Sequence, residues 1–238
     1  KGAVLGWPGN GTGAEVLAFM IDKASATDKG FDPLTGYDYP QLISKFIMGA
    51  VFYNQAVDHY LTKSLVRSVK PNNAAYDEGA PYTGKEHVWD EAFGYFGAPA
   101  HALLLSPQQA YSVAKLDDAV FAAADHNRDG KVDLTSEMIF GPAYYAADID
   151  KSGKTSYLKT IIRAFIDGRA LISSAKGSAL NDAQYGQLNA FAATIKVNWE
   201  KVLAEATFKY AGDVYKDLNA LQSVVDSNGD AAQAFFTY

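Results

Sequence analysis

Gln41-Leu42-Ile43-Ser44-Lys45-Phe46-Ile47-Met48-Gly49-Ala50-Val51-Phe52-Tyr53-Asn54-Gln55-Ala56-Val57-Asp58-His59-Tyr60-Leu61 is the stretch on which the fold turns. Leu42, Phe46, Ala50, Tyr53, Val57 and Leu61 recur at steps of three and four residues, which draws one apolar stripe along a helix. Ile43, Ile47, Val51 and Phe52 widen the stripe, so this helix is expected to be central, running from about Gln41 to Val69 and stopped by Pro71. Outward from it, punctuation marks further helices. Thr12-x-x-Glu15 and Thr83-x-x-Glu86 are capping boxes. The first opens a helix through about Lys23. The second opens one carrying His87, Trp89, Asp90, Glu91, Phe93 and Phe96, closed by Gly97 and Pro99. Ser106-Pro107 reads as cap and first-turn proline of a helix reaching about Ala124. More helices are expected at 134–147, 155–174, 182–210 and 213–225. Strand signals are almost absent. The chain reads as all-α, with about seven to nine helices in antiparallel up-and-down bundles. It is expected to form a single helical domain over 1–238, or two packed bundles meeting near 125–137.

The chain has 238 residues, nearly half of them apolar, enough for a sizeable core. A net charge of -6 and the lack of a basic patch argue against nucleic acid as a partner. The absence of cysteine removes disulfides, zinc-thiolate sites, iron–sulfur clusters and a thiol nucleophile. No apolar run approaches the roughly 18 residues of a membrane span. Gly6 to Gly13 is glycine-rich but lacks a Gly-Lys-Ser/Thr ending, so a phosphate loop is rejected. Asn10-Gly11-Thr12 is a weak glycosylation triplet. The opening Lys1-Gly2-Ala3 is compatible with a mature form whose leader has been removed.

Asp125-His126-Asn127-Arg128-Asp129-Gly130-Lys131-Val132-Asp133 places oxygen side chains at positions 1, 3, 5 and 9 of a loop, with glycine at 6. That is the ligand spacing of an EF-hand-type calcium loop. Asp125, Asn127, Asp129 and Asp133 would supply side-chain oxygens and Lys131 its carbonyl. Position 12 is Ser136, so Glu137 closes the loop only if it is one residue longer; otherwise Ser136 and water do so. The alternative is an Asx-rich turn linking two helices. Asp148-Ile149-Asp150-Lys151-Ser152-Gly153 and Asp226-Ser227-Asn228-Gly229-Asp230 echo the pattern and read better as helix-ending turns.

Glu86, His87 and Asp90 crowd one short helix, with Glu91 one turn beyond His87. They are a candidate half-site for iron or zinc, completed from His59 with Asp58, from Glu200 beside Trp199, or from His101. The plainer reading is local: Glu86 belongs to the capping box, and acidic residues suit a helix N-terminus. A metal-dependent hydrolase is conceivable, but His-Glu-x-x-His and Gly-x-Ser-x-Gly are both absent. The chain therefore leans away from enzyme. Arg163, Asp167 and Arg169 could bind an anion, but Arg163 with Asp167 reads better as an ion pair along one helix face.

The run from Gln41 to Phe52 and Glu86-His87-Val88-Trp89-Asp90-Glu91-Ala92-Phe93-Gly94-Tyr95-Phe96-Gly97 resemble an uncharacterised bacterial family of secreted or lipid-anchored envelope proteins. The aspartate-rich loop and Ala164-Phe165-x-x-Gly168-Arg169-Ala170 carry the same resemblance. That family is similar in style to the imelysin-like proteins, helical envelope proteins linked to iron uptake with a Gly-x-His-x-x-Glu motif. Here Lys85 stands for the glycine and Asp90 for the glutamate, so only His87 and Asp90 transfer. The resemblance implies a periplasmic, outer-membrane-anchored or extracellular bacterial protein. Its expected function is non-enzymatic metal binding with structural calcium, in iron acquisition by the imelysin analogy. The competing class is a calcium-stabilised assembly subunit (matrix, surface layer or filament), partnered by itself or another envelope protein through Phe235-Phe236-Thr237-Tyr238.

Overall fold

A computed structural model describes residues 2–5, 7, 9, 11–117 and 121–228. Among them are eight α-helices: α1 (Gly13–Ala26), α2 (Tyr39–Ile47), α3 (Gly84–Phe96), α4 (Pro107–Ala114), α5 (Phe121–Ala124), α6 (Gly141–Asp150), α7 (Tyr157–Ser174) and α8 (Asp182–Asn228). The fold is all-α. Its only regular strands among the described residues, β1 (Phe31–Asp32) and β2 (Tyr37–Asp38), form a short antiparallel ribbon before α2.

The caps act as the sequence indicates. Thr12 and Glu15 exchange hydrogen bonds at the start of α1, Thr83 and Glu86 do so at α3, and Ser106 and Gln109 at α4. Gly97 ends α3 in the left-handed region at φ 84°, and a Cβ there would fall 2.4 Å from the Phe140 carbonyl oxygen.

The long stripe-bearing helix is differently built. It starts at Tyr39, capped by the Asp38 carboxylate on the Gln41 N–H. Beyond Ile47 it widens into a π-helical segment, Met48–Lys63. The wider turn breaks the α-helical period, so Ala50 and Val51, expected inside, are exposed; Leu42, in the preceding α-helical part, is exposed as well. The two halves serve different clusters. Tyr39, Ile43 and Phe46 pack with Val16 and Met20 of α1, whereas Ala56, Val57 and Leu61 enter the main core.

Three other expectations are corrected. The helix from Ser106 ends at Ala114, where Leu116 turns left-handed at φ 58° and the Asp117 N–H bonds the Ser112 carbonyl at 3.0 Å. Residues 134–140 are not helical: Asp133 takes the Thr135 N–H and hydroxyl, both at 2.7 Å, into a local turn. The Phe140 N–H then bonds the Gly97 carbonyl. Finally, α8 continues unbroken through Gly212 to Asn228, since one glycine costs a helix only about 1 kcal/mol.

The main core gathers α3, α6, α7, α8 and the π segment, and it includes residues on both sides of 125–137, among them Ala110, Val113 and Ala124 before it and Met138 and Ile139 after it. Trp89, Phe96, Phe165 and Trp199 lie at its centre, each at most 2% exposed. Trp89 lies against Gly168, where an added Cβ would come within 2.1 Å of the ring, and its indole N–H donates to the Phe165 carbonyl at 2.8 Å.

Lys85 is 2% exposed. Its ammonium donates to the carbonyls of Ser64, Leu65, Val66 and Val69 at 2.8–3.2 Å, where the π segment ends and the chain turns away. A cation is favoured at a helix C-terminus, and burial pushes this one down to about 8. We expect Lys85→Met to keep the apolar stem but strand buried carbonyls, at a cost on the order of 3 kcal/mol in urea unfolding. Lys63→Met, an exposed control, should change stability by less than about 0.5 kcal/mol.

Candidate functional site

The 125–137 loop is organised by its own carboxylates. Asp125 accepts the Asp129 N–H at 3.1 Å and the Gly130 N–H at 2.9 Å. Asn127 Oδ1 accepts the Asp129 N–H at 2.9 Å, and Asp129 Oδ1 the Lys131 N–H at 2.9 Å. Arg128 and Gly130 take left-handed φ values of 63° and 83°, which fold the chain tightly around these side chains. Glu137, not exposed Ser136, reaches back across the loop. It is 3% exposed, and its carboxylate accepts the N–H groups of His126 at 2.8 Å, Asn127 at 3.0 Å and Asp133 at 2.9 Å. The Asp133 and Asn127 amides hold this carboxyl below its ordinary range. Asn127, Asp129, Lys131 and Asp133 are exposed, and Asp125 is half-buried. Among the described residues, no group of three His, Asp or Glu side chains is drawn together as a ready metal cluster.

Against this loop lies an unforeseen pair. His101, in the short turn Ala100–Leu104, stacks on His126 with centroids 4.2 Å apart and planes within 1°. His101 is therefore not beside the α3 histidine.

The candidates on α3 are divided between two faces. Glu86 and Asp90 both turn to Arg169 of α7: Nη1 reaches Glu86 at 2.7 Å, and Nε reaches the two Asp90 oxygens at 2.9 and 3.0 Å. Burial raises the Glu86 carboxyl, but the Thr83 amide and Arg169 together pull it lower. His87 faces elsewhere. It stacks on Tyr76 at 3.6 Å, and its Nε2 lies 3.6 Å from Glu91. The pair brought together is thus His87 with Glu91, while Glu86 and Asp90 share a guanidinium. The proposed completing residues have other partners: Glu200 accepts the Tyr53 hydroxyl at 2.7 Å, Asp58 accepts the Asn54 amide, and His59 packs edge-on to Tyr60. Arg163 and Asp167 form no ion pair with each other; the arginine that does pair is Arg169.

On the His87 face opens a cleft of about 700 Å³ lined by Phe52, Tyr82, His87, Asp90, Glu91, Gly94, Tyr95 and Phe140. Phe52 and Phe140 come from distant segments, so no local sequence pattern could announce it. Arg169 was visible as a charged residue, but its partners are fixed only by helix packing.

The echoing turns have other duties. Asp148 is 4% exposed at its side chain and pairs with Lys151 at 2.5 Å and Lys209 at 2.6 Å. Asp150 accepts the Tyr157 and Leu158 N–H groups at 2.9 and 2.8 Å, capping α7. Gly229 and Asp230 of the third echo, Phe235-Phe236-Thr237-Tyr238 and Asn10 lie outside the described residues. Among the described residues no helix is long and apolar enough to cross a membrane.

Residues 17–236 match the family model described as Domain of unknown function (DUF4856), and the chain belongs to that family. No curated protein and no solved structure matches it.

The Glu137 carboxyl, depressed in the folded chain, contributes stability in full above its ordinary value of 4.5 and loses it as pH falls through the lower folded value. Glu137→Gln should therefore melt below the parent at neutral pH, with the gap closing toward pH 3. Circular-dichroism melts across that range test this; a gap independent of pH would show that the charge is not what the amides hold.

Proposed function

We propose that this DUF4856 member is a non-enzymatic calcium-binding protein of the bacterial envelope, with one cation held by the 125–137 loop. The observation that carries the reading is the arrangement of Asp125, Asn127 and Asp129. Their oxygens sit at alternate positions, each already fixed by a backbone amide of the same loop. A carboxylate oxygen bonded to one N–H keeps a further lone pair for a cation. Asp133 and the Lys131 carbonyl complete the set, and Glu137 braces it from the buried side. The cation would neutralise the clustered acids and tie the segment after α5 to the approach of α6. An exposed loop with few charged ligands suits the weak affinities of extracellular calcium modules.

Calcium titration by calorimetry should give one site with a dissociation constant on the order of 10⁻⁴–10⁻³ M. Asp125→Ala and Asp129→Ala should each abolish the heat and the calcium-dependent rise in melting temperature. No heat and no stabilisation at about 10 mM calcium would sink the reading.

The iron-acquisition part of the imelysin analogy draws less support, because Glu86 and Asp90 already share the Arg169 guanidinium. The assembly reading has a specific observation in its favour. Val214, Tyr215, Leu218 and Leu221 of distal α8 are 40–69% exposed, a run of apolar side chains unusual on a lone surface. If it is right, light scattering should find an oligomer that chelator dissociates.

A further inference from the structure

We infer that the α3 cleft is a binding site for a small organic cation, an alkylated ammonium group on an apolar body. The inference does not depend on calcium. Three observations converge on it.

The first is the lining. Phe52, Tyr82, Tyr95 and Phe140 present aromatic surface to a space of about 700 Å³, within the range of small-molecule sites. Phe140 is 51% exposed and Tyr82, which stacks one face on His87 at 5.6 Å, still 39% exposed, so part of this aromatic surface is open rather than spent on the core. Aromatic faces carry negative potential and attract cations.

The second is charge. Glu91 lies in the cleft with its side chain 40% exposed. Among the described residues no lysine or arginine pairs with it; its neighbours are His87 Nε2 at 3.6 Å and the Tyr60 hydroxyl at 3.4 Å. The other lining acid, Asp90, is matched by Arg169. Among the described residues no lysine or arginine lines the space. A carboxylate with no lysine or arginine partner, set amid aromatic faces, selects a cation, repels an anion, and offers a neutral ligand only stacking.

The third is Gly94. It sits inside α3 in ordinary helical conformation, where glycine costs about 1 kcal/mol relative to alanine. Packing does not call for it, since a Cβ there would meet nothing within 4 Å. It lines the cleft. A side chain at this position would project into the open space, so the glycine keeps the cleft free at the expense of the helix.

The test uses choline and its uncharged carbon isostere, 3,3-dimethylbutan-1-ol, titrated into the whole protein by NMR. Choline should bind at least about tenfold more tightly than the isostere. Glu91→Gln should weaken choline by at least about tenfold while leaving the isostere unchanged. Gly94→Met should abolish choline binding while its melting temperature holds or rises, because the helix gains propensity. Equal binding of choline and isostere, or unchanged choline binding in Gly94→Met, overturns the proposal. So does zinc binding that is lost in both His87→Ala and Glu91→Gln when choline does not bind, which would make the pair a transition-metal site instead.

Discussion

The contact between Trp89 and Gly168 sets the geometry from which the rest of the site follows. The indole takes up the room a Cβ would need and donates its N–H to the Phe165 carbonyl one turn earlier in α7. A flat ring against a bare backbone fixes how close two helices come, and the hydrogen bond fixes their register. Once Trp89 points at α7, the helical period assigns the other positions of α3. Lys85, Val88, Ala92 and Phe96 join it inside. Glu86 and Asp90 flank it on the side where Arg169, the residue after Gly168, waits. His87, Glu91 and Gly94 fall further round and open into the cleft, which Asp90 also lines. The triplet Glu86, His87 and Asp90, adjacent in sequence, is thereby divided by rotation alone.

This explains which features were legible in the sequence. Helix starts were, because a cap is a local contract: Thr12 with Glu15, Thr83 with Glu86 and Ser106 with Gln109 need nothing beyond four residues. Helix ends were less so. Ala114 ends α4 through a left-handed Leu116, a conformation its side chain does not advertise. The π segment after Ile47 follows from having two cores to serve, the small cluster on α1 and the main one, and periodicity measured at one step cannot register that demand. Residues 134–140 looked helical but were claimed by Asp133, Glu137 and the Gly97 carbonyl. Within the site, His87 and Glu91 at four residues apart were visible as a pair. Phe52 and Phe140, which wall the cleft, were not, since only tertiary packing brings them there.

Lys85 shows the opposite case, a signal present in the sequence but pointing the wrong way. A lysine in the first turn of a helix opposes the local dipole. The structure resolves the misfit by sending its ammonium away from α3 to the carbonyls that close the π segment. Lys85 thereby cross-links the start of α3 to the chain leaving the π segment.

Two aspartate-rich turns of similar spacing then separate on who supplies their partners. Asp148 and Asp150 lie inside and are consumed by the fold. Lys151 and Lys209 neutralise the first, and their attraction outweighs the burial that would raise its carboxyl. Amides of the next helix use the second. A divalent ion there would have to displace lysines and uncap α7. At 125–137 Asp125, Asp129 and Asp133 bind only neutral groups of their own loop. Those bonds orient the oxygens without cancelling their charge. Mutual repulsion of Asp125, Asp129 and Asp133 is the cost of that arrangement, and the cation proposed for this loop would relieve it without unmaking the turn.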